Sequence, residues 1–312
     1  MPPDVSESSL ASAIDQVLAP AFLGRLGRMR LAVRNVVGLR PGDTPIRGHV
    51  QASGLELERH KPYDPGDELR YLDWNAYARL DQLLVRQFRA EREAPVHIFV
   101  DGSASMAAPA GDGKFEFAVG LALALACVAL RHHNPVRIVC LRAGEGGNYA
   151  ASRLVRFPAF LQGLAEFCAA ARASGPTVLE RGIEDYAQSH SLPGLAVIIS
   201  DFLVEPDVVR NLLHLLAARR YEIAALRPLG AAERDPSRLF QHARLRDAET
   251  GTEKMVRLSP ENLARYQAAL IEHLSGLERS CADTESLFAA CDIGAGLAHC
   301  LFSQLPQVGL LR

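Results

Sequence analysis

Asp101, Ser103 and Ser105 place a carboxylate and two hydroxyls at alternate positions in HIFVDGSASM, where an apolar run gives way to polar residues. In a chain still extended as it leaves a strand, positions i, i+2 and i+4 point to the same side, so these three side chains converge. A second acid, Asp201, follows the apolar run LAVIIS, and Thr177 lies between a turn and a helical stretch in SGPTVLERG. Two carboxylates and three hydroxyls form an all-oxygen set. Hard divalent cations such as Mg2+ or Mn2+ take such ligands and retain some waters. No Cys or His stands at ligand spacing with these residues, which argues against zinc. Neutral hydroxyl ligands leave an ion electron-poor, and its natural complement is a carboxylate on a partner protein. The same residue types also serve plain structure. Asp and Ser satisfy backbone donors in loops, Thr177 suits a helix N-cap, and Asp201 suits a cap of the following turn.

The elements that would position these residues begin at residue 95. PVHIFV, VRIVCL, LAVIIS and YEIAAL read as buried strands. Helical stretches separate them: Phe115 to Arg131, near Phe160 to Ala171, near Val178 to Ser189, and Val208 to Arg219. Apolar strands alternating with helices call for a parallel sheet covered on both faces, a doubly wound α/β domain. In such a sheet, ligands bind beyond the carboxyl ends of the strands, where Asp101 and Asp201 fall. RLRDAETGTEKMVRL reads as a hairpin around Glu249-Thr250-Gly251. Ser259-Pro260-Glu261 starts a helix with Leu263, Tyr266, Leu270 and Leu277 on one face. The expected division is 95–312 for this domain and 1–94 for a helical, turn-rich extension.

Within the extension, two short helices fit residues 6 to 37, broken at Pro20, and Arg25, Arg28, Arg30 and Arg34 give the second a basic face. Such a face is ordinarily solvated, and it is also the form of a membrane-surface adaptor. Residues 38 to 94 carry turn signals such as Pro41-Gly42 and Pro65-Gly66. There Asp67, Arg70, Asp73 and Arg79 alternate in charge and are expected to pair among themselves. Trp74, beside Tyr71 and Tyr77, is expected to anchor packing.

The 312-residue chain is 48% hydrophobic and carries a net charge of −2, enough for a sizeable core and without a general drive toward nucleic acid or anionic lipid. Its six cysteines are dispersed without a CxxC pair and read as reduced, buried thiols. The start MPPDVSESSL lacks the pattern of a secretory signal. The longest apolar run, Ala118 to Leu130, has 13 residues and reads as a fully buried helix, because a membrane span needs roughly 20. A cytoplasmic protein is expected, with contact to a membrane surface left open. A Mg2+-dependent hydrolase is the competing reading of the same oxygen cluster. Against it, no nucleophile with an adjacent base and no GxxxxGK[ST] phosphate loop is recognisable, and Ser103 stands where an aspartyl phosphatase carries a second Asp.

The string Asp101-Gly-Ser103-Ala-Ser105, with Thr177 and Asp201, resembles the metal-ion-dependent adhesion site of von Willebrand factor A domains. Directly upstream, SGLELERHKPYDPGDELRYLDWNAYARLDQLLVRQFRAERE is similar to the signature of the bacterial family called domain of unknown function 58. Tyr63, Pro65, Gly66, Asp67, Arg70, Asp73, Trp74, Ala78 and Arg79 stand at its marked positions. The resemblance runs from about Arg25 to Phe202. It implies a von Willebrand factor A-like fold and a Mg2+ or Mn2+ ion held by Asp101, Ser103, Ser105, Thr177 and Asp201. It also implies a non-enzymatic role beside a MoxR-type AAA+ ATPase, in protein assembly, chaperone-like remodelling or metal insertion. Many members of that family carry hydrophobic membrane anchors, which this sequence lacks.

Overall fold

The computed structural model describes residues 5–32, 55–65, 69, 72–90, 94–109, 111–144, 146–190, 192–236, 242–249, 251–257 and 259–312. The chain divides into two units, one formed by residues 1–37 with 94–312 and the other by residues 38–93. The larger unit opens with α1 (Val5–Leu18) and α2 (Pro20–Leu26). The smaller contains β1 (Leu55–Pro62), α3 (Trp74–Leu80) and β2 (Leu84–Ala90), with β1 and β2 paired antiparallel. In the larger unit there follow β3 (Val96–Asp101), α4 (Lys114–Arg131), β4 (Val136–Gly144), β5 (Gly147–Ala151), α5 (Leu161–Ala169), α6 (Leu179–Ser189), β6 (Leu195–Ile199) and α7 (Pro206–Ala218). It continues through β7 (Glu222–Leu229), α8 (Ala231–Arg234), β8 (His242–Arg246), β9 (Glu253–Arg257), α9 (Pro260–Asp283) and β10 (Leu287–Asp292), and ends in short helical turns.

Six strands form the central sheet in the order β10-β7-β6-β3-β4-β5. All neighbours are parallel except β4 and β5. The protein is therefore a mixed α/β structure on a mostly parallel sheet. Alternation along β3 assigns its side chains to two cores: Val96, Ile98 and Val100 join α1, α4 and α5, whereas Phe99 joins α6 and α7. Every residue from Ala118 to Leu130 is buried, because α4 lies over the sheet and is covered in turn by Leu10, Ile14 and Val17 of α1. Residues 30–32 then pair with 310–312, through Arg30 with Arg312 and Ala32 with Leu310.

Close approach of backbone fixes one glycine. A Cβ on Gly194, just before β6, would stand 2.0 Å from the Pro95 carbonyl oxygen just before β3. Gly194→Ala is expected to lower stability by roughly 1–3 kcal/mol by forcing these two strand starts apart. A urea titration giving the wild-type midpoint would contradict this.

Several expectations need correction. The second N-terminal helix ends at Leu26 rather than running on toward residue 37, since Gly27 closes it and the chain turns to meet residues 310–312. The basic face is thereby broken. Arg25 stacks on the Phe302 ring at 3.9 Å, Arg28 and Arg30 lie beyond the helix, and Arg34 is outside the described residues. Pro41, Gly42, Gly66, Asp67, Arg70 and Tyr71 are also outside them. Trp74 is no packing anchor: it is 61% exposed and meets Tyr77 edge-on, while Leu72 and Val85 are buried. Asp73 caps α3, accepting from the Asn75 and Ala76 amides, and also bonds His60. Along α9 only Leu277 of the expected apolar face is buried, and Tyr266 is exposed. The six cysteines are free and buried, and burial pushes the Cys127, Cys168 and Cys281 thiols up to about 12. No helix among the described residues is long and apolar enough to cross a membrane.

Candidate functional site

β3 and β6 are parallel neighbours, so the residues that follow them emerge at one edge of the sheet. Asp101, the last residue of β3, is 2% exposed. Its Oδ1 accepts from the Ser103 amide at 2.9 Å, and its Oδ2 accepts from the Ser200 hydroxyl at 2.6 Å. Ser200 precedes Asp201 in the chain, and its hydroxyl also accepts from the Phe202 amide at 2.9 Å. Ser103 is fully buried, and its Oγ lies 3.0 Å from that of Ser105.

The loop that carries Thr177 is knitted to this turn. Ser174 N–H donates to the Gly102 carbonyl at 2.8 Å, and Ala104 N–H donates to the Gly175 carbonyl at 2.9 Å. A Cβ at Gly102 would stand 3.0 Å from both Cys140 Sγ and the Leu141 carbonyl oxygen, which is why the turn needs glycine there. Thr177 is no helix cap. α6 starts after Val178 without a side-chain cap, and the Thr177 Oγ1 is buried with no hydrogen-bond partner. Its amide donates to Glu249 Oε2 at 3.1 Å, from the turn of the β8–β9 hairpin.

Asp201 faces a second cluster. Its Oδ1 accepts weakly from the Leu203 amide at 3.3 Å, and its Oδ2 accepts from Lys114 Nζ at 3.0 Å. Lys114, Asp201 and Arg227 are all buried. Arg227 donates through Nε to the Asp201 carbonyl oxygen at 2.9 Å and through Nη2 to Glu233 Oε1. Glu233 Oε2 lies 3.7 Å from Lys114 Nζ and has no hydrogen-bond partner. Asp112 accepts from the amides of Ala232 and Glu233 and so holds α8 in place. Burial pushes the Asp101 carboxyl above its usual range, the Ser200 hydrogen bond opposes this, and the nearby Asp201 charge adds to it. Burial also raises Glu233, against the pull of Arg227 and then Lys114.

Asp101, Ser103 and Ser105 are thus brought together, with the Thr177 loop bonded to their turn and Asp201 one residue after Ser200, the hydrogen-bond partner of Asp101. Lys114, Arg227 and Glu233 escaped the sequence reading. A lysine opening an otherwise apolar helix in GKFEFAVGLALAL, and an arginine inside the apolar strand YEIAALRPL, were the available signals.

Among the described residues no three of His, Cys, Asp and Glu gather in a group able to hold a metal. The test of a cation therefore falls on the hydroxyls. Two adjacent serine oxygens, a buried carboxylate and the unsatisfied Thr177 Oγ1 fit a hard ion, because a buried hydroxyl without a partner is costly. Asp201 fits only partly, since Lys114 already occupies its Oδ2.

The family model "Protein of unknown function DUF58" matches residues 59–275. "Uncharacterized protein Rv1480" of Mycobacterium tuberculosis and "Uncharacterized protein Mb1516" of Mycobacterium bovis are each 28% identical over 281 residues, covering 84% of this chain and 83% of theirs. Among solved structures, BatB from Bacteroides thetaiotaomicron shares 13% identity at a TM-score of 0.37, over 65% of this chain and 93% of that one. An aerotolerance-related membrane protein from Bacteroides fragilis shares 14% at 0.41, over 69% and 99%.

Proposed function

The chain belongs to the DUF58 family, and on that premise we propose that it is a non-enzymatic, metal-dependent protein-binding module with a von Willebrand factor A-like fold. The observation that supports this most directly is the buried, partnerless Thr177 hydroxyl on a loop tied to the Ser103–Ser105 turn. Ser103, Ser105 and Thr177 would hold a Mg2+ or Mn2+ ion, with Asp101 as the carboxylate beside them and Asp201 behind. When bound, the ion supplies an electrophilic coordination position that an outside carboxylate can fill. The residues of this chain do the rest. Ser200 and the Ser103 amide orient Asp101, and Gly102 lets the turn sit against β4. In this reading the partner is a MoxR-type AAA+ ATPase or its client, contributing an acidic side chain, and the complex works in the cytoplasm. The family resemblance motivates the partner class, and the donor set motivates the acid.

The test is Mn2+ binding by electron paramagnetic resonance, together with affinity purification in Mg2+ or EDTA. Asp101→Ala is expected to weaken Mn2+ binding about 100-fold or more and to abolish Mg2+-dependent capture of the ATPase, with an unchanged circular dichroism spectrum. Wild-type protein that binds no Mn2+ at millimolar concentration, or an Asp101→Ala variant that binds as wild type does, overturns the reading.

A further inference from the structure

Lys114 sits in an unusual place for a lysine. It is the first residue of α4, only 3% exposed, and its ammonium lies between two carboxylates. The nearer contact is to Asp201 Oδ2 at 3.0 Å, and Lys114 is the only hydrogen-bond donor recorded for that oxygen among the described residues. The farther carboxylate oxygen, Glu233 Oε2, is 3.7 Å away, beyond hydrogen-bond reach, buried and without a partner. The other oxygen of Glu233 is clamped by Arg227, and the amides of Ala232 and Glu233 are clamped by Asp112. Glu233 is thus a rigid, incompletely satisfied acceptor one short movement from the ammonium.

Resting on the reading above, we propose that Lys114 is a tethered cation that occupies the Asp201 half of the metal site. It yields Asp201 to an incoming divalent ion by shifting to Glu233, and in this way sets how tightly the ion is held. The charges support this assignment. Asp101, Asp201 and Glu233 are three buried or nearly buried acids, opposed by the two buried bases Lys114 and Arg227. A divalent ion that takes Asp201 Oδ2 as a ligand would stand beside the ammonium now 3.0 Å from that oxygen, and repulsion is relieved when Lys114 retreats toward the free oxygen of Glu233. The shift needs only lysine rotamers, and it exchanges one ion pair for another without leaving a buried charge alone.

The experiment compares Mn2+ affinity, by electron paramagnetic resonance, in wild type, Lys114→Met and the doubly substituted Lys114→Met/Glu233→Gln. The double variant keeps the charge balance of the cluster and guards against a Lys114→Met chain that fails to fold. Freed of its competitor, Asp201 is expected to raise Mn2+ affinity at least tenfold in whichever variants fold. If wild type binds Mn2+ and no folded variant gains affinity, the tethered-cation inference is overturned while the metal-site reading stands. Binding by the variants but not by wild type sinks both, because a lysine that never yields Asp201 does not set how tightly an ion is held; binding by none also sinks both. A second measurement needs no substitution. The Lys114 side-chain ammonium resonance of wild type is expected to shift on saturation with Mg2+, and an unmoved resonance in a Mg2+-loaded protein overturns the inference.

Discussion

Replacing Arg227 by Met is expected to lower the stability of the protein by about 3–5 kcal/mol, read as a fall in the urea midpoint. Arg227 is fully buried in β7 and holds two different elements at once: the Asp201 carbonyl after β6 and the Glu233 carboxylate of α8. Methionine restores most of the volume but supplies no donor. Glu233 would then keep only Lys114, at 3.7 Å, as a compensating charge. Removing one partner of a buried pair costs more than the pair is worth, because the survivor stays desolvated. Adding Glu233→Gln to Arg227→Met should therefore recover a large part of the loss. A single variant as stable as wild type, or a double variant no better than the single, would contradict this account.

Acidification supplies the second large effect. Between pH 7 and pH 4 wild type is expected to lose about 3 kcal/mol more stability than His97→Gln. His97 lies in β3, 3% exposed, with Nε2 donating to the Leu192 carbonyl at 3.1 Å and Nδ1 accepting from the Tyr186 hydroxyl at 2.7 Å. Both ring nitrogens are satisfied by the neutral imidazole. Burial lowers its pKa from 6.5 to about 4, the Leu192 bond opposes the shift, and the charges of Arg137 and His190 assist it. Tyr186 and Tyr221 pack edge-on against the ring and offer no negative charge. Because the folded pKa is depressed, the contribution is fully present above pH 6.5. It fades as the pH falls toward 4, where the unfolded chain binds a proton that the folded one refuses. Stability followed against pH by urea denaturation checks this. Parallel acid limbs for wild type and His97→Gln would remove His97 as the cause.

Where burial is continuous, the sequence was a good guide. The runs VHIFVD and LAVII are β3 and β6 with every residue buried, and the helix expected at Phe115 to Arg131 is α4 from Lys114. The hairpin around Glu249 and the helix start at Ser259-Pro260 also emerge, since proline and turn residues act locally. Two edge strands went unread. β5, GNYAA, is short and half exposed, and β10, LFAACD, follows a long helix without an apolar run of its own strength. For the site, Asp101, Ser103 and Ser105 were legible by their closeness in sequence, but they meet because the chain enters a tight helical turn at Ala104–Ala107, not because it stays extended as expected. The partners of Asp201 were not. Lys114 and Arg227 lie far from it in sequence, and only the parallel register of β6 with β7 and the start of α4 bring them to its carboxyl group.

The discontinuity of the larger unit has a bearing on how the chain folds. During synthesis α1 and α2 emerge about 90 residues before α4 begins, and until α4 arrives Leu10, Ile14, Val17 and Phe22 have no core to enter. At roughly 5–20 residues per second that is an exposure of several seconds, long enough for a holdase to intervene or for nascent chains to associate. The intervening residues 38–93 also lengthen the loop that must be closed. Each halving of a loop saves only about 0.6 kcal/mol, so the burden of this insertion falls on the timing of folding far more than on the equilibrium.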